Sequence, residues 1–126
     1  MKKFNFLIVD DIVMNRVLLR ELLLAEANKV SEARNGVEAI DIIKTEDIDV
    51  VFMDIEMPKM NGLETTRYIR NELPKPLNKL PIIALTAYNP NDFFEDFSAA
   101  GFDFLLTKPF SFEKIREAIN SVTNNK

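Results

Sequence analysis

Short, nearly continuous apolar runs alternate along this chain with longer stretches of helical periodicity. Phe4 to Val9 (FNFLIV) is such a run, and Asp10-Asp11 follows at once. From Ile12 to Ala27, Met14, Leu18, Leu22 and Ala25 recur at helical spacing, with Arg16, Arg20 and Glu26 among the polar positions. This predicts an amphipathic helix. A weak strand is expected around Lys29 to Ala33. Asn35-Gly36-Val37-Glu38 has the form of a helix start, with Asn35 as cap and Glu38 reaching back; Val37, Ile40 and Ile43 mark its apolar face. The apolar run Asp49-Val50-Val51-Phe52 reads as a buried strand that ends in a carboxylate, Asp54. Met57-Pro58 and Asn61-Gly62 then turn the chain. A helix from Leu63 to roughly Leu73 is stopped by the loop Pro74 to Pro81. Pro81 to Leu85 (PIIAL) is a strand ending at Thr86-Ala87. Asn89-Pro90 opens a fourth helix, and Gly101 ends it. Phe102 to Leu106 is a fifth strand, ending at Lys108-Pro109. Ser111 caps the last helix, where Phe112, Ile115, Ile119 and Val122 form one stripe.

The order is strand then helix, five times over. Strands that read as continuous rather than alternating apolar runs belong to a parallel sheet covered on both faces. Right-handed crossovers then give an α/β, doubly wound, five-stranded parallel sheet with helices on both faces. At 126 residues the chain suits one domain, 1–126, with 122–126 expected as a frayed tail. No internal repeat or low-complexity segment interrupts it.

Composition narrows the chemistry. The chain carries a formal net charge of −4 and has no obvious basic stripe, which argues against gripping nucleic acid or an anionic membrane. It has no cysteine and no histidine. Disulfides, thiol catalysis, cysteine-ligated zinc and a histidine base or phosphohistidine of its own are therefore excluded. No segment is long and apolar enough to span a bilayer, and no signal peptide is evident, so a cytoplasmic location is expected.

What remains is polar residues at strand ends. In doubly wound sheets, ligands bind outside the carboxyl ends of the strands, near the point where strand order reverses. This chain places Asp10-Asp11, Asp54, Thr86 and Lys108 at those ends. With the flavodoxin-like order 2-1-3-4-5, strands one and three are neighbours and the three aspartates lie together. Two like charges ~4 Å apart cost about 4 kcal/mol at an effective dielectric near 20, so a proton or a cation is required. Oxygen ligands that leave room for phosphate and water suit Mg²⁺. Lys108 adds a positive charge and Thr86 a hydroxyl donor. The set forms a clamp for a tetrahedral dianion, with Asp54 in the middle as nucleophile.

These residues, in this order, resemble a response-regulator receiver domain over essentially the whole chain. The matching pieces are Val9-Asp10-Asp11, Met53-Asp54 with Met57-Pro58 and Gly62, Leu85-Thr86-Ala87, and Lys108-Pro109-Phe110. The stretch Asp10 to Arg16 (DDIVMNR) is most similar to receivers of hybrid sensor kinases or phosphorelays. The resemblance implies that Asp54 is the phosphoacceptor. It implies that Asp11, Asp54 and the backbone carbonyl of Glu56 bind Mg²⁺, with Asp10 helping through water. Thr86 would hydrogen-bond the phosphoryl group and carry the switch, and Lys108 would pair with a phosphoryl oxygen. The Lys108–Pro109 bond would be cis, and the small Ala87 would leave room beside the phosphate. Glu56 and Tyr88 occupy places that tune phosphate lifetime. One departure stands out: the usual inward-turning aromatic ring is replaced by Leu105, and Phe104 next to it points to the other face of the strand.

The resemblance also implies partners: a histidine kinase or histidine phosphotransfer domain, and a homodimer or output partner at the face formed by the fourth helix, fifth strand and fifth helix. Phe93, Phe94 and Phe97 belong to that fourth helix, as core or as partner surface. Leu19 and Leu23 are either core or a docking patch. Functionally, the expectation is a self-phosphorylating and self-dephosphorylating switch in two-component signalling, rather than a conventional multi-turnover enzyme. The competing readings are a receiver-like adaptor that never turns over phosphate, a flavin or nucleotide module, and an aspartyl phosphatase with Glu56 as second carboxylate. The absence of a glycine-rich loop after the first strand disfavours the flavin or nucleotide module. Asp10-Asp11 is hard to explain in an aspartyl phosphatase.

Overall fold

A computed structural model describes residues 3–57, 60–87 and 100–123. Five strands, β1 (Phe4–Val9), β2 (Ala27–Ala33), β3 (Val50–Asp54), β4 (Ile82–Thr86) and β5 (Phe104–Thr107), form one parallel sheet in the order β2-β1-β3-β4-β5. The helices are α1 (Val13–Leu23), α2 (Gly36–Thr45), α3 (Gly62–Glu72) and α4 (Phe112–Thr123), with short 3₁₀ turns at Leu24–Glu26 and Leu77–Lys79. The described residues thus hold four α-helices where five were expected. The helix predicted at 89–101, with Phe93, Phe94 and Phe97, lies outside the described residues up to position 99; Ala100 is helical and Gly101 follows in a turn.

Every residue of β3 and β4 is buried, as a central parallel strand requires. Period-two alternation divides the core into two layers. Leu7, Val9, Val51, Met53 and Ile82 face α2 and α3, where they meet Ala39, Ile40, Ile43 and Ile69. Phe6, Ile8, Phe52, Ile83, Leu85 and Leu106 face the other way, onto Leu19 and Leu23 of α1 and Ile115, Ala118 and Ile119 of α4. Each such side chain contributes about 1.5–3 kcal/mol by leaving water.

The helix starts follow local chemistry. Asn35 accepts from the Glu38 N–H at 3.0 Å, as expected. The Glu38 carboxylate reaches back one residue further than predicted, to Arg34 N–H at 2.8 Å. Asn61 and Glu64 form a reciprocal capping box at α3, so Asn61 is a helix cap as well as a turn residue. Ser111 Oγ accepts from Lys114 N–H at 3.2 Å. Gly62 begins α3 directly against the end of β3: a Cβ there would run into the backbone carbonyl oxygen of Asp54. Its N–H donates to Ile55 O at 3.0 Å. Gly101 has φ 104°, a left-handed conformation that favours glycine.

The inner face of α1 differs from the one its spacing suggested. Leu19 and Leu23 are buried and belong to the core, whereas Met14 and Leu18 are 68% and 52% exposed. Ala25 lies in an exposed 3₁₀ turn. The helix is apolar on both sides, so periodicity alone does not choose between them. Val37 and Phe112, taken as members of buried stripes, are also exposed. Both sit in the first turn of their helices. The stretch 122–126, expected to fray, opens with helical Val122 and Thr123, and Val122 is buried; 124–126 lie outside the described residues. No helix among the described residues is long and apolar enough to cross a membrane.

Candidate functional site

The register gathers the strand-end residues on one edge. Val9 pairs with Met53, Asp54 with Leu85, and Thr86 with Thr107. Asp10 and Asp11 therefore leave β1 beside the end of β3, and Lys108 leaves β5 beside Thr86. The Lys108 N–H donates to Thr86 O at 2.8 Å, which ties those two strand ends together. Oxygens of Asp10, Asp11 and Asp54 lie within 4.8 Å of one another. Lys108 Nζ is 3.8 Å from Asp54 Oδ1.

The three carboxylates differ in environment. Asp10 is buried, and its Oδ1 accepts from Ile12 N–H at 2.9 Å and from Asn15 Nδ2 at 3.5 Å. It closes a turn just before α1, without capping the helix, and also faces the acidic cluster. Asp11 is exposed. Asp54 is 5% exposed, and the Glu56 N–H reaches its Oδ1 only at 3.4 Å. Burial and the Asp10 charge push the Asp54 carboxyl up to about 6, against the pull of Lys108. A buried carboxylate held between like charges, with one amine opposite, is an arrangement whose charge a cation can balance.

Thr86 is buried beside Leu85, and Ala87 is exposed at the strand end. The Glu56 side chain is exposed. The Lys108–Pro109 peptide is cis, and so is Lys75–Pro76 in the loop before β4, which was not expected. Leu105 packs with Ile55, Leu63, Ala84 and Phe102 on the α3 side of the sheet, while Phe104 packs in the opposite layer. Tyr88 lies outside the described residues.

Sequence reasoning missed two features. Arg16, read only as a polar helix position, donates from Nη1 to the Asp10 carbonyl at 2.8 Å. Ile12, Val13, Met14, Val17 and Leu18 form an exposed apolar surface on α1, next to the acidic pair. The unusually high apolar content of α1 was the available signal for that surface.

Comparison with known proteins agrees with the geometry. Residues 6–120 match the response regulator receiver domain family. The polar-differentiation response regulator DivK of Brucella anthropi is 32% identical over 117 residues, spanning 93% of this chain and 94% of the relative. Among solved structures, chemotaxis response regulator CheY4 of Vibrio cholerae aligns with a TM-score of 0.84 at 28% identity, covering 96% of this chain and 99% of that one. The receiver domain of a sensor histidine kinase from Pseudomonas aeruginosa aligns with a TM-score of 0.84 at 26% identity, over 95% and 97% of the two chains; a magnesium ion is coordinated in its active-site cleft. This chain belongs to the response regulator receiver domain family of two-component signalling.

Proposed function

We propose that the chain is a phosphoacceptor switch in which Asp54 takes a phosphoryl group from a phosphohistidine on a partner protein. The observation that carries the reading is the buried Asp54 carboxylate, flanked by Asp10 and Asp11 and faced by Lys108 at 3.8 Å. An Asp54 oxygen attacks phosphorus, the phosphorus–nitrogen bond to the partner's imidazole breaks, and the imidazole leaves with its electron pair. The histidine has to come from the partner, because this chain has none.

Three carboxylates of which two are buried fit a hard divalent cation, since all-oxygen donors and residual negative charge are what Mg²⁺ requires. Asp10, Asp11 and Asp54 would hold it, with the Glu56 carbonyl completing the protein's share. When bound, Mg²⁺ neutralises charge on the phosphoryl oxygens. Lys108 offers an ammonium to a second oxygen and Thr86 a hydroxyl to a third. Ala87 keeps the approach open, while Glu56 and Tyr88 stand at the sequence positions that tune how long the phosphate survives. The apolar surface Ile12–Leu18 beside the site is the seat of the phosphohistidine-bearing partner. Leu19 and Leu23, buried beneath it, support it from the core. β5 and α4, with the helix predicted at 89–101, form the face for a second copy or an output partner.

The test is intact-mass measurement after incubation with Mg²⁺ and acetyl phosphate. Wild type gains one phosphoryl group, Asp54→Asn gains none, and Lys108→Ala responds weakly. An unmodified wild-type mass across small donors, divalent metals and a phosphorylated histidine phosphotransfer domain would leave the adaptor reading in its place.

A further inference from the structure

We infer that Arg16 is a positioning residue for the metal site: it locks the Asp10-Asp11 backbone so that both carboxylates converge on Asp54. The inference rests on the phosphoacceptor reading above and deepens it. Asp11 is exposed and extends from a loop between β1 and α1, so its placement depends on the peptide that carries it. That peptide is held at several points. Asp10 N–H donates to Ala33 O at 3.1 Å. Asp10 Oδ1 accepts from Ile12 N–H. The Asp10 carbonyl, which is also the near end of the Asp10–Asp11 peptide, accepts from Arg16 Nη1 at 2.8 Å.

Arg16 is itself fixed. Its side chain is only 12% exposed, and Nε donates to Glu32 Oε1 at 3.0 Å. Arg20 holds the other Glu32 oxygen at 2.7 Å. The clamp runs from β2 through Glu32 and Arg16 to the acidic loop. A planar fork suits this task because two N–H groups, fixed relative to each other, reach two different acceptors.

Electrostatics alone argues against placing an arginine here. A guanidinium near a cation site repels the cation, so removing it should tighten Mg²⁺ binding. Positioning predicts the opposite sign. The two effects are separable because Arg20 carries the same charge and shares Glu32, yet touches Val30 O rather than Asp10 O, at 3.4 Å.

The experiment is calorimetric titration of the phosphate-free protein with Mg²⁺, together with hydrogen exchange at the Ile12 amide without metal. Arg16→Met is expected to weaken Mg²⁺ binding on the order of tenfold, the usual effect of losing an outer support of a metal ligand, and to speed exchange at Ile12. Arg20→Met is expected to bind as wild type or tighter. Arg16→Met binding as tightly as wild type, or Arg20→Met weakening it equally, overturns the inference. If Arg16→Met does not fold, Arg16→Lys decides: it keeps the charge and loses the fork, and binding equal to wild type refutes the clamp. A wild-type protein that binds no Mg²⁺ instead removes the metal reading of the site, and the inference with it.

Discussion

A half-buried charge and a buried one, at opposite ends of the sheet, are treated in opposite ways. At the end where β4 begins, Arg70 donates to Gly101 O, Asn78 O, Leu80 O and Asp103 Oδ2, all between 2.8 and 3.0 Å. Asp103 Oδ2 in turn accepts from Ile82 N–H at 2.8 Å. At the end where β3 finishes, Asp54 has one long backbone contact, an amine at 3.8 Å and two like-charged neighbours. A buried charge with full hydrogen bonding holds structure together, whereas one with few partners stores unfavourable energy that a ligand can release. The Arg70 end is built for staying folded and the Asp54 end for binding.

The sharpest way to break this comparison is at its stable pole. Arg70→Met removes four hydrogen bonds that join α3, the loop before β4 and the start of β5. It is expected to cost about 2–4 kcal/mol, mainly through the carbonyls left without their charged donor, read as a lower urea midpoint.

At the other pole the sign reverses. The folded-state pKa of Asp54 is raised from 3.8 to about 6, so the folded protein retains a proton that the unfolded chain has already released. Below the unfolded value the group is neutral in both states and contributes nothing. As pH rises from 3.8 to 6 stability falls, and above 6 a constant penalty of about 3 kcal/mol remains. Asp54→Asn is therefore expected to raise metal-free stability at neutral pH by about 1–3 kcal/mol, with the gain shrinking toward pH 4. Chemical denaturation at several pH values checks it, and a variant no more stable than wild type at neutral pH contradicts the account.

Magnesium gives a smaller effect at the same pole. At ten times its Kd it should add about 1.4 kcal/mol at neutral pH, with less below pH 6, where Asp54 holds a proton. Thermal melts with and without MgCl₂ measure this. Lys108→Ala is the mildest for stability, at most about 1 kcal/mol, because its amine is partly solvated and not in close contact with Asp54. Its larger consequence belongs to the proposed phosphoryl chemistry.

How much was legible in the sequence follows from how local each cause is. β3 and β4 were readable because only a central parallel strand tolerates apolar side chains on both faces. Their polar termini marked the site, because a carboxylate at the end of a buried run needs a reason. Asn35 and Ser111 announced their helices through chemistry confined to four residues. The inner face of α1 was not readable, since Met14 and Leu18 satisfy the same period as Leu19 and Leu23. Arg16 escaped notice because its partners, Asp10 O and Glu32, meet only once β1 and β2 pair. Arg70 was silent for the same reason: its acceptors span 78 to 103.

The two apolar sides of α1 have a further consequence. Leu19 and Leu23 answer to the fold, while Ile12, Val13, Met14, Val17 and Leu18 lie outside the core. Mutation can rewrite the outer five while the sheet keeps its stability and the acidic pocket its chemistry. With the docking role proposed for that surface, a lineage that duplicates this chain can redirect one copy to a new upstream protein and insulate it from the old one, with no intermediate that fails to fold.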